Sequence, residues 1–246
     1  MEIIATDYDG TLNHDGITDE KRKAILKWRK SGNLFGVVSG RGIKSLLEVI
    51  QDKDFEYDFL IANNGAIIFD KELNVLTETR CDGAIAKPLI ADLFQWGCPF
   101  ANIDKDEPIM VRSNAEECKE GECTLENLPA VTYFNQISTW LGDKEKASAV
   151  VDKINEKYSD TLNPLQNGDC IDIVPISVNK AQGIYALLGV VGGKYEDVIA
   201  VGDNINDTHM IAEFRSYAMK NGVDSIKKLA DEITESITEL IYKELQ

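Results

Sequence analysis

No run of about 18 or more apolar residues occurs in the chain, so no segment is expected to cross a membrane. The opening stretch, MEIIATDYDG, brings acids early and carries no basic leader. It does not read as a secretory signal, and a cytoplasmic location is expected. Basic residues are scarce: 26 Lys and Arg stand against 42 Asp and Glu, a formal net charge of -16. Such a surface repels the phosphate backbone of nucleic acids, so no nucleic-acid partner is expected. The same field repels phosphorylated metabolites, and a phosphate site here needs its own local cations. Cysteine is limited to five residues, an odd number, and no close pair has zinc-ligand spacing. Cys118 and Cys123 lie near each other without a second pair or a nearby His, which favours reduced thiols over a disulfide or metal framework. Internal repeats and low-complexity segments are absent.

What is present is an ordinary globular composition, with 43% hydrophobic and 28% charged residues over 246 positions. That length suits one large domain or two modest ones. Ile3 to Thr6 is a short apolar run leading into acids, as in a buried strand with a polar carboxyl end. Thr18, Asp19 and Glu20 open a helix whose stripe is Ala24, Ile25 and Trp28. A second strand, 34–38, precedes Ser-Gly-Arg. Ile43, Leu46, Leu47 and Ile50 then recur at helical spacing, and a third strand at 59–62 ends in Asn63-Asn64-Gly65. This alternation predicts a parallel sheet with helices on its faces. From 81 to 177 the pattern changes. A helix near Pro88, strands at 100–103, 109–112 and 130–138, a helix over 144–157 and a hairpin at Asn167-Gly168 predict an α+β unit. After Asn179 the alternation returns. The fold class is therefore α/β: a doubly wound, Rossmann-like parallel-sheet core from 1–80 and 178–246, with an inserted α+β cap at 81–177.

Four polar clusters directly follow strands of the expected sheet: 7–11, 39–41, 63–65 and 202–207. Lys180 sits just past the insertion. The carboxyl ends of parallel strands face one crevice, so these clusters can meet in space. Asp7 and Asp9, two apart in extended backbone, fall on one side. Such a pair can divide labour between nucleophile and proton donor. Gly10 permits an abrupt turn and Thr11 adds a hydroxyl. Asp203 and Asp207 add hard oxygen ligands of the kind magnesium takes. Lys180 and Arg41 supply cations, and Ser39 with the backbone N–H groups of Ser39 and Gly40 can hold phosphate oxygens.

DYDGT, VVSGR, Lys180 and GDNIND together resemble the four motifs of the haloacid dehalogenase superfamily of phosphotransferases, in the same order and strand contexts. NNGA at 63–66 and AMKNG at 218–222 are most similar to the Cof-type sugar-phosphate phosphatases. The resemblance covers essentially the whole chain and implies a magnesium-dependent phosphatase acting on small phosphorylated metabolites. It implies that Asp7 is the nucleophile, forming an aspartyl phosphate, and that Asp9 is the acid and base. It places Thr11, Ser39, Gly40, Arg41, Lys180 and Asn206 around the substrate phosphate. Its metal set is Asp7, Asp9 through its backbone carbonyl, Asp203 and Asp207, the last by orienting Lys180 or the metal shell. The cap is expected to select the substrate; Trp96, Tyr133 and Trp140 are aromatic candidates there, each also suited to a core. No membrane partner is expected, and the protein is expected to act as a monomer or weak homo-oligomer. A phosphomutase of the phosphomannomutase type and a non-catalytic phospho-ligand sensor are the alternatives.

Overall fold

The computed structural model describes residues 1–50 and 55–246. The chain divides into two compact units, residues 1–77 with 179–246, and residues 78–178. The sequence reading sets these boundaries at 80/81 and 177/178. No helix among the described residues is long and apolar enough to cross a membrane.

The first unit is built on an eight-stranded sheet. Its strands are β1 (Ile3–Thr6), β2 (Leu34–Val38), β3 (Phe59–Ala62), β4 (Ile67–Asp70), β5 (Val75–Glu78), β14 (Val198–Gly202), β15 (Arg215–Met219) and β16 (Glu232–Thr234). Their order is β16-β15-β14-β1-β2-β3-β4-β5. All pairs from β16 to β3 are parallel. The central strand, β1, has Ile4 paired with Ile199 on one side and Phe35 on the other. Strand alternation sends neighbouring side chains to opposite faces, so both faces need cover. Ile4 joins Trp28, Phe35, Leu46 and Leu240 in one core, whereas Ile3 and Ala5 join Ile184, Leu187 and Met210 in another. The first face carries α1 (Asp19–Lys30), α2 (Ile43–Ile50) and α8 (Ile237–Glu244). The second carries α5 (Lys180–Val191), α6 (Thr208–Glu213) and α7 (Asp224–Leu229). This is the expected doubly wound α/β sheet.

Helix α1 starts where its chemistry says it should. Thr18 accepts a hydrogen bond from the Lys21 N–H at 3.2 Å, acids fill the first turn, and Lys27, Arg29 and Lys30 fill the last. The purely parallel expectation fails at one edge. Beyond β3 the chain turns back into β4, which pairs antiparallel with β3. Its turn into β5 is fixed by Asp70, whose Oδ1 accepts from the N–H groups of Glu72 and Asn74 at 2.9 and 2.8 Å.

In the second unit, β6 (Cys81–Asp82) pairs with β10 (Tyr133–Phe134). The larger sheet has the order β12-β13-β11-β7-β8-β9. It comprises β7 (Phe100–Asp104), β8 (Ile109–Arg112), β9 (Cys123–Thr124), β11 (Gln136–Trp140), β12 (Leu162–Asn167) and β13 (Cys170–Pro175). One face buries Ala101, Ile103, Ile137, Ile171 and Ile173 under α3 (Ala86–Gln95) and α4 (Lys144–Tyr158). The single strand expected over 130–138 is two strands, broken at Asn135. The Asn135 side chain donates to Glu78 Oε1 at 2.8 Å and to the Thr79 carbonyl at 3.1 Å, tying down the segment that enters this unit. Of the three aromatic candidates, Trp140 is exposed, while Trp96 and Tyr133 are half-buried. The Arg80 guanidinium stacks on the Tyr133 ring.

Candidate active site

β1 is where the sheet changes winding direction, since β2 lies on one side and β14 on the other. Ligand crevices in open α/β sheets form at the carboxyl ends of strands at such a point. Asp7 emerges there, its N–H donating to the Val201 carbonyl at 2.8 Å. The chain then turns sharply through residues 8–12, and the Leu12 N–H closes the turn onto the Asp7 carbonyl at 3.1 Å. Tyr8 is fully buried in the first core, and its hydroxyl donates to the Val49 carbonyl at 2.9 Å. Gly10 has φ of +82°, and a Cβ there would stand 2.5 Å from Asp203 Oδ2. Only glycine allows both the left-handed turn and the close approach of the two acidic loops.

Lys180, at the first turn of α5, is fully buried. Its Nζ donates to Asp7 Oδ1 and to Asp207 Oδ1, each at 2.6 Å. The Asp207 Oδ2 accepts from the N–H groups of Asp203 and Asn204 at 2.9 and 3.1 Å. Asp207 thus spends both oxygens inside the protein, holding Lys180 with one and the Asp203 loop with the other. Burial pushes the Asp7 carboxyl up to about 8, with Lys180 pulling it down and Asp207 and Asp203 adding to the rise. Desolvation alone lowers Lys180, but Asp207 and Asp7 outweigh it and hold the ammonium above its usual range.

Asp7, Asp203 and Asp207 bring carboxylate oxygens within 4.8 Å of one another. Three carboxyl groups share one ammonium, so ionising all three leaves an excess of negative charge in a largely buried place. The donor atoms are all oxygen, which suits a hard divalent cation. The Thr11 hydroxyl donates to Asp203 Oδ1 at 2.7 Å and is buried, so it orients Asp203. The Asp9 carboxylate lies outside this group of three and is held by Arg41, whose Nε and Nη2 donate to it at 2.6 and 2.9 Å. Ser39 is buried, and its N–H donates to the Ile61 carbonyl at 2.8 Å, within the sheet. Of the two amides expected to face phosphate, that one is therefore committed, while the Ser39 hydroxyl accepts from the Arg41 N–H at 3.1 Å. Gly40, just after β2, and Asn206, in the turn Ile205–Asp207 that follows β14, are half-buried.

Three contributors make contacts that the motifs alone do not give. Asn221 donates from Nδ2 to the Gly10 carbonyl at 2.9 Å, and the Val223 N–H donates to the Asp203 carbonyl at 2.9 Å, so one loop braces both acidic loops. AMKNG marks this place in the sequence, but as a family signature and not as a brace. Asn63 and Asn64 hold positive φ of 50° and 54°, and their N–H groups donate to the carbonyls of Arg41 and Ser39, each at 2.9 Å. Gly65 follows because a Cβ there would lie 2.3 Å from the Asn179 carbonyl, at the start of α5. Lys21 is buried, and its Nζ donates to the carbonyls of Leu12 and Gly16 at 2.8 Å each and to Asp15 Oδ1 at 2.6 Å. Its place one turn before Ala24 and Ile25, on the buried stripe of α1, is the signal that reveals it.

A sequence model of haloacid dehalogenase-like hydrolases matches residues 4–240. The chain belongs to the haloacid dehalogenase-like hydrolase family. Among curated proteins, this hydrolase is 28% identical to the 5-amino-6-(5-phospho-D-ribitylamino)uracil phosphatase YcsE of Bacillus subtilis (strain 168), over 96% of this chain and 90% of that protein. Among solved structures, a haloacid dehalogenase-like hydrolase from B. subtilis superposes with a TM-score of 0.83 at 17% identity, covering 98% of this chain and 99% of the other. The subclass IIB sugar phosphatase BT4131 superposes with a TM-score of 0.80 at 20% identity, covering 99% and 98%. At these identities the structures speak for the fold. The family match and its phosphatase relatives make it a phosphoric monoester hydrolase.

Proposed function

We propose that this protein is a magnesium-dependent phosphatase of small phosphorylated metabolites, sugar or polyol phosphates, working through an aspartyl phosphate on Asp7. The single observation that carries the reading is the setting of Asp7. It lies at the carboxyl end of the central strand, 5% exposed, with Lys180 on one oxygen and Asp203 close by. The ribityl phosphate in the name of the B. subtilis relative supports a polyol phosphate as the kind of substrate.

Asp7 and Asp203 would hold magnesium, with the Asp9 carbonyl, while Asp207 stays committed to Lys180 and to the loop amides. Magnesium, when bound, supplies positive charge that favours ionised Asp7 and offsets its repulsion from the phosphate. Asp7 attacks phosphorus, the P–O bond to the leaving group breaks, and Asp9 gives that oxygen its proton. Asp9 then takes a proton from water, which attacks the phosphoryl-enzyme and frees phosphate and Asp7. Ser39, Gly40, Lys180 and Asn206 hold the transferring group. Phosphoryl transfer rewards such positioning and charge neutralisation above all. The residues of 81–177 select the leaving group.

The test is phosphate release by the purified protein with magnesium, across a panel of sugar, polyol and nucleoside monophosphates, joined to acid-quench detection of covalent phosphate. Turnover with phosphate on Asp7 is the expected result. Transfer of the phosphoryl group to a second sugar position without release of phosphate means a mutase. Binding without either reaction means a sensor, and each of these sinks the proposal.

A further inference from the structure

Arg41 has the charge of a phosphate ligand but the contacts of something else. Its Nε and Nη2 grip the two oxygens of Asp9 at 2.6 and 2.9 Å, and its Nη1 donates to the Ser45 hydroxyl at 3.1 Å. Its backbone is pinned as well. The N–H donates to Ser39 Oγ at 3.1 Å, and the carbonyl accepts from the Asn63 N–H at 2.9 Å. The guanidinium is thereby fixed to the β2 and α2 side of the crevice, and it reaches across to the turn that follows β1. Two parallel donors fix the plane of a carboxylate as well as its position. The pair does little for stability, since the side chains of Asp9 and Arg41 are 47% and 35% exposed. Its geometry nonetheless governs a side chain on a sharp turn beside Gly10, which would otherwise sample several rotamers.

We infer that Arg41 is a positioning residue for Asp9 and not a ligand of the phosphoryl group. This rests on the reading of Asp9 as the acid and base. Proton transfer needs the carboxylate within hydrogen-bond reach of the leaving oxygen. One fork already filled by Asp9 and Ser45 is poorly placed to clamp a phosphate as well.

The test is a double-mutant cycle of Arg41→Met and Asp9→Asn, with kcat and KM measured on β-glycerol phosphate and on p-nitrophenyl phosphate. Circular dichroism confirms folding. The alkoxide of glycerol needs a proton as it leaves; the phenolate needs it far less. Arg41→Met is expected to lower kcat/KM on glycerol phosphate about tenfold or more, with KM within about threefold. The loss on the nitrophenyl ester is smaller. In the Asp9→Asn background, Arg41→Met has no more than about a twofold further effect, because its target is gone. Arg41→Lys keeps the charge and loses the fork, so it restores only part of the rate.

A rise in KM on both esters, by the same factor with and without Asp9, makes Arg41 a phosphate ligand and overturns the inference. Full restoration by Arg41→Lys also overturns it, since charge alone would then suffice. The parent reading is judged separately, by Asp9→Asn alone. If that variant loses the same factor in kcat/KM on both esters, a quantity the later reaction with water does not enter, Asp9 is not the acid. Multiplicative losses in the cycle still refute Arg41 acting through Asp9, whatever role Asp9 has.

Discussion

Lys180 Nζ stands 2.6 Å from Asp7 and 2.6 Å from Asp207, and the side chains of Lys180 and Asp207 have no exposed surface. A buried cation between two carboxylates cannot be removed without leaving charge uncompensated. Lys180→Met is therefore expected to cost about 3–5 kcal/mol of stability, the usual penalty for breaking a buried pair from one side. Urea unfolding measures this. Saturating magnesium is expected to stabilise the parent as well, as a ligand of the folded state does. A loss below about 1 kcal/mol would show that the triad is not held as described.

Chelation is expected to stop turnover and magnesium to restore it. The reason is the excess of carboxylate over ammonium among Asp7, Asp203, Asp207 and Lys180. Calcium should restore little, since its larger and looser coordination shell misplaces Asp7. Isothermal titration separates binding from turnover. Asp203→Asn should weaken magnesium affinity far more than Asp9→Asn, whose carboxylate lies with Arg41. Full activity after exhaustive chelation removes the metal assignment.

Much of this site was legible because its chemistry is local. Asp7 and Asp203 each follow a short apolar run, and a parallel sheet carries such ends to one crevice without further information. What the residues do to each other was less legible. Thr11 and Arg41 look like phosphate donors from their types, yet in the fold Thr11 serves Asp203 and Arg41 holds Asp9. These pairings span 192 and 32 positions, and no pattern of period two or 3.6 encodes them. The antiparallel strand β4 was hidden for a related reason. A run as short as IIFD, three apolar residues and an acid, reads the same whether it runs with or against its neighbour. Asn135 broke an expected strand because its side chain satisfies a distant backbone carbonyl, at Thr79.

Asp104 offers a pH test within the second unit. It is 9% exposed in β7, its carboxylate accepts a 3.1 Å bond from Asn102, and burial with Asp172 nearby pushes it from 3.8 to about 7. A raised folded value means that the folded protein holds this proton where the unfolded chain has lost it. Stability contributed this way is present below about pH 4 and falls as pH rises through about 7. Asp104→Asn keeps the shape and never ionises. Its melting temperature should exceed the parent's at pH 8, with the gap shrinking steadily toward pH 4. A gap that stays constant with pH would mean that Asp104 titrates normally.

Lys21 gives the last prediction. Each of its three ammonium protons meets an oxygen of residues 12–16: the Leu12 carbonyl, Asp15 and the Gly16 carbonyl. The same Leu12 closes the turn onto Asp7 through its N–H. Lys21→Met preserves the length and apolar stem of the side chain but strands these acceptors. Asp15 is 57% exposed and can turn to water, so its share of the loss is small. The Leu12 carbonyl faces a buried nitrogen and cannot be rehydrated as easily. The expected cost is about 2–3 kcal/mol, from one buried acceptor left unmet and a charge-assisted bond lost. Hydrogen exchange should locate the loosening at residues 12–16 and at the Leu12 amide, with the β14 and β15 amides unchanged. If the loss is spread evenly over the sheet, Lys21 supports the core in general and not the exit of the turn that carries Asp7 and Asp9.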